Sequence, residues 1–404
     1  MNSVKTKIAI VGAGPAGATL ALLLTKKKIP HVLIDKETFP RDKVCGDGYT
    51  AEVVKILKEI DESLYQEFIN ASWTEASYGT YVELSGGVSL LTNLKKQFKA
   101  GGLYFVAKRL HFDAWMVSKI DKDYTETYFD CEVKSMEKLN KGIRLTCQRN
   151  KSTFEIQADL VIGADGERSV VRKHLDPKGI KKVRAHHAAA IRCYYENVRC
   201  DYDHKPLELY QIRKNFSGYF WIFNLPNNEV NVGVGALSDD VSKHGTNLKQ
   251  EMFSFIENHP VLKKRFEKAL PLEKPKGWGI PMNSDAYDFT GDNYILIGDS
   301  AKFGEPLTGK GIGVAMQASS LAVPFIEEAI KSSDYSNTAL SKYEEHIQKK
   351  FRKEWHSLYL SNQKMHKWYV PWMFKIVKLK PIINYLQTLH IKGFNKFVFG
   401  KKMK

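Results

Sequence analysis

Residues 7–35 of this 404-residue chain carry the pattern that most restricts its fold. A short run of strand-favouring residues leads into a turn whose three glycines are Gly12, Gly14 and Gly17. An apolar helical segment, a second short strand and Asp35 follow. This order of strand, G-x-G-x-x-G turn, helix, strand and acid is the context in which the glycine motif predicts a dinucleotide-binding βαβ unit.

Each part of this turn has its own task in binding a dinucleotide. Gly12 permits the tight turn, Gly14 lets backbone N–H groups approach a pyrophosphate, and Gly17 lets the helix pack closely on the strand. The N–H groups around Gly14 and Ala16, with the positive end of the helix dipole, would neutralise that pyrophosphate. Asp35 stands 18 residues after Gly17, where a carboxylate can accept the hydroxyls of an adenosine ribose. The motif therefore predicts a dinucleotide site and leaves NAD and FAD open.

Length and composition indicate a large globular chain in a reducing compartment. With 43% hydrophobic residues, 404 residues suffice for two or three structural units. The five cysteines are scattered and odd in number, which argues against a disulfide framework or a zinc site. The N-terminus has no signal-peptide pattern, and no apolar stretch reaches the roughly 20 residues that a membrane span needs. We expect a cytoplasmic protein, free or peripheral at the inner face of the membrane, without a metal.

The net charge of +16 is concentrated near the C-terminus. Residues 346–404 hold 14 Lys and Arg against one acid, together with 11 aromatic residues. Within 341–404, Tyr343, Ile347, Phe351 and Trp355 recur at helical spacing, with lysines beside them.

This basic, aromatic tail has two interpretations. It suits a helical segment on an anionic membrane surface, where each lysine contributes about 1 kcal/mol. It equally suits a helix that covers its own domain and leaves a basic face in water. No nucleic-acid-binding fold accompanies the charge, so we expect no nucleic acid partner.

The order of elements along the chain indicates a nucleotide domain assembled from separated segments. A buried strand at 159–162 runs into Gly163-Ala164-Asp165-Gly166, and another at 294–297 runs into Gly298-Asp299 before a long helix from Gly311. Residues 185–236 read as successive strands of an antiparallel sheet. The predicted nucleotide domain comprises 1–75, 100–180 and 280–340, the substrate domain 76–99 and 181–279, and the tail 341–404. No second G-x-G-x-x-G βαβ unit follows residue 40, so a separate nicotinamide domain is not expected.

Three motifs, taken together, resemble those of FAD-dependent oxidoreductases with the p-hydroxybenzoate-hydroxylase-type fold. They are the turn at 12–17 with Asp35, the segment 162–172 with Asp165-Gly166, and the segment 296–312 with Gly298-Asp299. The match covers about the first 330 residues. The resemblance implies an α/β fold, namely a Rossmann-like FAD-binding domain with an inserted antiparallel substrate sheet and a C-terminal helical segment.

Within that superfamily the chain is most similar to the geranylgeranyl reductase family. The similarity rests on FPRDKVCGDG at 39–48, on Arg109-Leu-His-Phe112-Asp113, and on GYFWIF at 218–223 followed by NVGVG at 231–235. Asn224 departs from that family, which usually has proline there. Halogenase relatives carry a WxWxIP-type motif instead, which this chain lacks.

The resemblance implies which residues hold FAD. They are Gly12, Gly14, Ala16, Gly17, Asp35, Lys36, Arg41, Cys45, Gly46, Gly48, Arg109, Val133, Asp165, Gly166, Asp299, Gly311 and Ile312. Asp299 would accept from ribitol hydroxyls, or else serve as a turn or helix cap. Arg109 and Arg41 would reach the cofactor, or else form structural salt bridges, Arg109 with Asp113.

Within this resemblance, the turn from Thr308 to Ile312 bears most directly on the reaction mechanism. Exposed N–H groups and a helix N-terminus there would stabilise the negative charge of the reduced flavin. Lys310 adds charge to the turn or is simply solvated.

The resemblance also proposes catalytic and substrate-binding residues. Cys45 and Gly46, on a loop expected near the flavin ring, and Trp221 are the catalytic candidates, although Cys45 also suits a packed, inert thiol. Tyr219, Trp221 and Phe223 alternate along one strand and share a face, which would line an apolar substrate channel or form ordinary core.

The chain is therefore expected to be an FAD-dependent oxidoreductase that reduces carbon–carbon double bonds of a prenyl or similar apolar substrate. NADPH, NADH or a ferredoxin would be the external reductant. A flavin monooxygenase, a halogenase and a non-enzymatic, flavin-bearing membrane-binding module are the alternatives. The oligomeric state does not follow from the sequence.

Overall fold

The computed structural model describes residues 3–84, 87–98, 101–176, 183–283, 288–365 and 370. The strands are β1 (Ser3–Val11), β2 (His31–Ile34), β3 (Gly48–Tyr49), β4 (Glu75–Ser77), β5 (Thr80–Leu84), β6 (Val88–Leu91), β7 (Tyr104–Val106), β8 (Thr125–Tyr128), β9 (Glu132–Lys138), β10 (Ile143–Arg149), β11 (Ser152–Gly163), β12 (His187–Glu196), β13 (Leu207–Gln211), β14 (Gly218–Asn224), β15 (Glu229–Leu237), β16 (Leu270–Pro271), β17 (Lys276–Pro281), β18 (Thr290–Gly291) and β19 (Tyr294–Leu296). The helices are α1 (Pro15–Lys26), α2 (Ala51–Ile60), α3 (Glu62–Asn70), α4 (Arg109–Ser118), α5 (Val170–Leu175), α6 (Ser238–Lys243), α7 (Leu248–Asn258), α8 (Pro260–Arg265), α9 (Ile312–Ser332) and α10 (Asn337–Met365), with 3-10 turns at Arg184–His186 and Gly298–Ala301.

The chain forms two compact units, each assembled from separated segments. The first unit contains Met1–Asp42, Leu110–His186 and Ile280–Tyr359, and the second contains Lys43–Arg109, His187–Gly279 and Leu360–Lys404. Residues 43–75 and 100–109, which the sequence analysis assigned to the nucleotide domain, lie in the second unit. The reason is local pairing, because β3, β7 and β4 form a small sheet of their own there.

The first unit is built on a largely parallel sheet in the order β18-β19-β11-β1-β2-β8. Strand β1 pairs in parallel with β11 and with β2, and β11 pairs in parallel with β19. The register places Val11 beside both Gly163 and Ile34, and Gly163 beside Leu296. Four parallel strands therefore end at one level, and the three sequence motifs begin there.

Burial explains why these strands read as continuous apolar runs. Ile8, Ala9 and Ile10 are fully buried, as expected for a parallel sheet covered on both faces. Helices α1 and α9 pack together, and the Ser319 hydroxyl donates to the Ala16 carbonyl at 2.9 Å. This α/β architecture confirms the predicted fold class.

The apolar stripe of the predicted tail packs within the first unit. Tyr343 and Ile347 are fully buried on α10, and the Tyr343 hydroxyl donates to the Ala318 carbonyl at 3.2 Å. The Trp355 ring stacks on Phe351 with centroids 4.9 Å apart. The stripe is therefore core, while neighbouring lysines face water. Residues 366–369 and 371–404, which carry the rest of the predicted tail, lie outside the described residues.

The second unit is built on a sheet in the order β16-β12-β15-β14-β13-β5-β6. The pairs β12–β15, β14–β15 and β13–β14 are antiparallel, as predicted, but β5 joins β13 in parallel. One sheet face packs on α7 and α8, whose Met252 and Leu262 meet Phe220 and Val232 in a buried cluster. Alternation then places Trp221 on the opposite face.

Among the described residues, no helix is long and apolar enough to cross a bilayer.

A buried ion pair anchors α8 to the sheet of the second unit. The Arg265 guanidinium donates to both carboxylate oxygens of Glu208, at 2.6 and 2.8 Å, and both side chains are essentially inaccessible to water. The Arg265 Nε donates to the Arg199 carbonyl at 2.7 Å.

Breaking this pair from one side should destabilise the protein strongly. We expect Arg265→Met to lower the free energy of unfolding by about 3–5 kcal/mol, because the Glu208 carboxylate would remain buried without its positive partner. Combining it with Glu208→Gln should recover part of the loss. Urea unfolding checks both, and an Arg265→Met midpoint equal to that of the parent would contradict the prediction.

Candidate functional site

The glycine turn after β1 is shaped by close backbone contacts. Gly12 adopts φ +100°, and a Cβ there would lie 2.4 Å from the Ala164 carbonyl oxygen. A Cβ on Gly17 would lie 1.8 Å from the Gly12 carbonyl oxygen, well inside any allowed contact. Both positions therefore require glycine, and this confirms the steric part of the sequence argument.

The N-terminus of α1 is open to an anion. Gly14 is its N-cap, with no side-chain cap hydrogen bond, and the first turn contains no acidic residue. The Ala18 N–H makes the first bond of the helix, to the Gly14 carbonyl at 2.9 Å. By helix geometry, the N–H groups of Ala16 and Gly17 precede that bond and point out of the helix end, where a phosphate can accept them.

Asp35 is buried at the end of β2 and braces the glycine turn. One carboxylate oxygen accepts from the Ala13 N–H at 2.6 Å and the other from the Glu37 N–H at 2.9 Å. The Asp35 carbonyl accepts from the Cys131 N–H, which lies two residues before the buried Val133. The neighbouring Lys36 is exposed.

Asp165 follows β11 at the same sheet edge. Its Oδ2 accepts from the N–H groups of Val170 and Val171, at 2.6 and 3.2 Å, and so holds the start of α5. Its Oδ1 is buried and has no hydrogen-bond partner among the described residues. Burial raises the pKa of this carboxyl above its ordinary value. Gly166 adopts φ +81° with open space around it.

Buried hydrogen bonds join the second motif to the third. The Arg172 guanidinium donates to the Ser300 carbonyl at 2.9 Å and to the Glu167 carbonyl at 2.8 Å. The Ser300 hydroxyl donates to the Gly163 carbonyl at 2.5 Å. Arg172 is therefore an anchor between the two loops.

The third motif places a second uncapped helix N-terminus in this unit. Asp299 is half-buried in the 3-10 turn after β19, and a Cβ on Gly311 would lie 3.5 Å from its Oδ1. Gly311 is the N-cap of α9, and Ile312 begins the helix, again with no side-chain cap and no acid in the first turn.

The preceding turn is less open than the sequence analysis expected. Glu305 is buried, and its carboxylate accepts from the N–H groups of Leu307 and Thr308 at 2.8 and 2.9 Å. The Gly309 N–H donates to the Glu305 carbonyl at 3.0 Å. Within the turn from Thr308 to Ile312, where exposed N–H groups were expected, Glu305 therefore accepts those of Thr308 and Gly309. The uncapped N-terminus of α9 at Gly311 agrees with the rest of that expectation.

Arg41 forms a structural ion pair in the first unit. Its Nη1 lies 3.0 Å from Oδ2 of the buried Asp113, and its guanidinium carbon lies 4.9 Å from the Phe39 ring centroid. This ion pair agrees with the salt-bridge alternative for Arg41, and its contact with the cofactor stays a prediction. Arg109, in the second unit, is buried, and its positive charge partly offsets the burial that raises the pKa of Asp47 and of Cys45.

These features of the first unit fit a dinucleotide with a flavin. The two uncapped helix N-termini suit a pyrophosphate and the anionic edge of a flavin ring. The turn at Gly12 and Gly17 lets the backbone approach the pyrophosphate, and carboxylates lie at the ends of three strands. This is the arrangement of an FAD-binding α/β fold. Among the described residues, no cluster of three His, Cys, Asp or Glu side chains could hold a metal.

Comparison with known proteins identifies the family. A family model described as "FAD binding domain" matches residues 5–349, and the chain belongs to this family of flavoproteins. It is an FAD-dependent oxidoreductase.

Individual relatives differ in the reactions that their names state. A digeranylgeranylglycerophospholipid reductase of Methanococcus vannielii is 27% identical over 350 residues, covering 83% of this chain and 80% of the relative. A 1H-pyrrole-2-carbonyl-[peptidyl-carrier protein] chlorinase of Pseudomonas fluorescens is 24% identical over 361 residues, covering 83% and 79%. The crystal structure of a geranylgeranyl bacteriochlorophyll reductase-like protein of Thermoplasma acidophilum superposes with a TM-score of 0.82 at 23% identity, covering 99% of this chain and 98% of that one.

The second unit contains a buried polar cluster around the loop 45–48. Asn231 is fully buried, and its amide nitrogen donates to the Cys45 carbonyl and to Asp47 Oδ2, both at 2.8 Å. Its amide oxygen accepts from the Trp221 indole N–H at 2.8 Å. The Tyr194 hydroxyl donates to Asp47 Oδ2 at 2.6 Å. One asparagine thus ties Cys45, Asp47 and Trp221 together.

Asp47 is the strongest acid–base candidate in this cluster. It is fully buried and adopts φ +61°, and its Oδ1 has no hydrogen-bond partner among the described residues. Burial raises its pKa to about 6, against hydrogen bonds from Tyr194 and Asn231 and the charges of Arg192 and Arg109. A carboxyl with this pKa keeps part of its protonated form near neutrality.

Cys45 is shielded rather than activated. Burial first, and then the charge of Asp47, raise the pKa of its thiol above the ordinary value. Its sulfur accepts the Asp47 N–H at 3.3 Å. A thiol of this kind is protonated at neutral pH and is a poor nucleophile.

The predicted aromatic stripe is present on β14. The Tyr219 and Trp221 ring centroids lie 6.0 Å apart, and those of Trp221 and Phe223 lie 6.4 Å apart. A Cβ on Gly46 would contact Phe223 at 3.5 Å, and one on Gly48 would contact it at 3.6 Å, so this loop lies against the stripe.

Gly233 makes room for the Trp221 ring. A Cβ there would lie 2.2 Å from Trp221 Cζ2 and 2.4 Å from the Ile191 carbonyl oxygen, so both this ring and a neighbouring backbone approach closely. Asn224 ends β14 without interrupting it.

The predicted site residues fall into two groups. The first unit contains Gly12, Gly14, Ala16, Gly17, Asp35, Lys36, Arg41, Val133, Asp165, Gly166, Asp299, Gly311 and Ile312, and the second contains Cys45, Gly46, Gly48, Arg109, Tyr219, Trp221 and Phe223. Sequence reasoning missed Asp47, Asn231, Tyr194 and Glu305 as site-building residues. The signal for Asp47 was an acid between two glycines, which only the fold shows to be buried.

Gly17→Ala tests the glycine turn. Alanine normally stabilises a helix interior relative to glycine, yet here its Cβ would displace the Gly12 carbonyl. We expect the purified variant to lose bound FAD, as measured by absorbance near 450 nm. Gly277→Ala is the matched control, because its Cβ would make only an ordinary 3.6 Å contact. Full FAD occupancy in Gly17→Ala would contradict the assignment.

Asp47→Asn tests the buried acid through the pH dependence of stability. The folded-state pKa of about 6 exceeds the ordinary 3.8, so the native state holds a proton that the unfolded state releases. Stability from this group is therefore present at low pH and lost as the pH rises through that window, by up to about 3 kcal/mol. Asp47→Asn should raise the urea midpoint at about pH 7 and change it little at about pH 4.

The control for this experiment is Asp203→Asn, which removes an exposed carboxylate from the same unit. Its midpoint should follow that of the parent at both pH values. Equal pH dependence of Asp47→Asn and the parent would show that Asp47 is not a strained, buried carboxyl.

Proposed function

We propose that this flavoprotein reduces carbon–carbon double bonds in the prenyl chains of a lipid. Reduced FAD, when bound, supplies the hydride. The proposal rests above all on the acid cluster of the second unit, in which a buried carboxyl touches the same asparagine as Trp221. The name of the Methanococcus vannielii relative, a reductase of a prenylated phospholipid, supports the same substrate class.

The chemistry of an isolated double bond explains why a buried acid matters. A prenyl double bond has no neighbouring carbonyl to accept an electron pair, so a hydride at one carbon must be matched by a proton at the other. An acid with a pKa near 6 is protonated often enough to donate and is readily reprotonated. We therefore assign this proton to Asp47 Oδ1, with Tyr194 and Asn231 holding the other carboxylate oxygen.

The remaining proposed site residues bind and orient. Tyr219, Trp221 and Phe223 would contact the apolar chain, since aromatic rings offer a large rigid surface without polar groups along their faces. Cys45 and Gly46 would form the small-residue surface beside them, with Cys45 acting as a protonated thiol. The predicted FAD contacts of the first unit remain part of this proposal.

The electron donor and the location follow from the same proposal. NADPH, NADH or a ferredoxin would reduce the flavin from outside, because no second G-x-G-x-x-G βαβ unit follows residue 40. We place the protein in the cytoplasm, at the inner face of the membrane that contains its substrate.

An anaerobic single-turnover experiment tests this function. Holoenzyme reduced with dithionite is mixed with a detergent-dispersed phospholipid carrying geranylgeranyl chains. We expect the absorbance of oxidised flavin to return while the lipid gains two hydrogens for each reduced bond, as measured by mass spectrometry. Asp47→Asn should slow this return by about 10²-fold or more, the usual contribution of a positioned acid.

The matched control is the same phospholipid with fully saturated chains, which should leave the flavin reduced. A flavin that reoxidises only when oxygen is admitted, with one oxygen atom or a halogen added to the substrate, would overturn the reductase. It would instead favour the reaction class of the chlorinase relative.

A further inference from the structure

We propose that residues 266–276 of the second unit form a docking surface for an anionic lipid bilayer. This inference rests on the proposed function, because a phospholipid substrate must be taken from a membrane. The surface consists of the edge strand β16 with Leu272, flanked by Lys268 and Lys274. It is a different part of the chain from the basic tail.

The apolar side chains of this surface are unusually accessible. Leu270 is 55% exposed and Leu272 is 43% exposed, with the exposed Pro271 between them. Val261, on the preceding helix α8, is 49% exposed. Isolated exposed apolar residues are ordinary. An exposed run of three, Leu270 to Leu272, at a sheet edge is a feature that soluble domains avoid.

These side chains are held outward by a rigid support. Strand β16 pairs with the end of β12, and the Leu272 N–H donates to the Tyr194 carbonyl at 2.8 Å. The Phe266 ring packs edge-on against Tyr195, with the ring centroids 5.4 Å apart. Arg265, just before it, is fixed by its buried ion pair with Glu208. The leucines cannot turn inward without breaking these contacts.

The charges around the apolar edge complement an anionic surface. Exposed lysines surround it at Lys263, Lys264, Lys268, Lys274 and Lys276. Three acids lie nearby, against these five lysines. Glu267 is exposed, Glu196 pairs through its backbone with Leu270, and Glu273 is engaged by Arg192 and by Lys276. A net positive rim around a short apolar protrusion is the pattern of a protein that lies on a membrane interface.

A bilayer fits this surface better than a protein partner. The apolar part consists of only a few side chains, so a protein groove would bury little area, whereas lipid tails accept single side chains at any position. Lysine stems can lie along the acyl boundary while their ammonium groups reach the phosphates. The apolar stripe of α10 is unavailable for this task, because Tyr343 and Ile347 are buried.

Vesicle binding of the full-length holoprotein tests the proposal. The probe is a vesicle of phosphatidylcholine with about one third phosphatidylglycerol, compared with pure phosphatidylcholine. Leu270→Ser combined with Leu272→Ser should weaken binding to the anionic vesicles about tenfold. Leu91→Ser is the matched control, since Leu91 is 39% exposed on β6 at the opposite edge of the same sheet. Lys268→Gln should weaken binding about fivefold and only on anionic vesicles.

A fluorescent label distinguishes this surface from any other membrane-binding part of the chain. Leu272→Cys in a Cys200→Ser background carries an environment-sensitive label, with Leu91→Cys labelled as the comparison. Brominated lipids should quench the label at 272 and leave the label at 91 unchanged. A label at 272 that remains in water on bound vesicles overturns the proposal.

Activity separates this inference from the proposed function. The double leucine variant should keep the parent rate on detergent-dispersed geranylgeranyl phospholipid and lose most turnover on the same lipid embedded in anionic vesicles. Equal rates on vesicles would overturn the docking surface and leave the reductase intact. No turnover by the parent on either form would instead refute the reductase.

Discussion

Four parallel strands of the first unit end at one level, and every predicted cofactor contact of that unit depends on this register. Val11, Ile34, Gly163 and Leu296 stand side by side. The loops that follow can therefore cooperate, although up to some 280 residues of chain separate them. Because a Cβ at Gly12 or Gly17 would collide with backbone atoms, the close packing of the turn at the start of α1 requires glycine at both positions. The open helix end is a consequence of that close packing.

The main constraint in the second unit is that the Asp47 carboxyl is kept in buried surroundings. Tyr194 and Asn231 both satisfy one oxygen of Asp47, and the positive charges of Arg192 and Arg109 limit the cost of ionisation. The result is a group whose two protonation states have similar free energy near neutral pH. The same asparagine positions Trp221, so the orientation of the aromatic stripe and that of the acid are linked.

The features that could be predicted from the sequence are those that depend on local sterics and periodicity. The three motifs, the fold class and the aromatic stripe follow from glycines, apolar runs and alternation, and these patterns act within a few residues. Asp47 could not be recognised, because its partner Tyr194 lies 147 positions away and its partner Asn231 lies 184 positions away. The parallel pairing of β5 with β13 is equally non-local.

One expectation is modified for a simple physical reason. Exposed N–H groups were expected in the turn from Thr308 to Ile312, but the buried Glu305 accepts those of Thr308 and Gly309. Gly233 is required by its neighbours, because a Cβ there would lie 2.2 Å from the Trp221 ring and 2.4 Å from the Ile191 carbonyl oxygen. Both features depend on residues far away in the sequence or on side-chain orientation, which the local pattern does not determine.

The pairing of β1 with β11 has a consequence for how the protein is made. Strand β1 is synthesised about 150 residues before its partner β11, and β19 joins later still. Such distant pairings close slowly, so the nucleotide-binding edge is among the last parts to form during synthesis. Until β19 emerges, the nascent chain exposes an unfinished sheet edge, and chaperones that shield such edges should matter more for this protein than for one built from local hairpins.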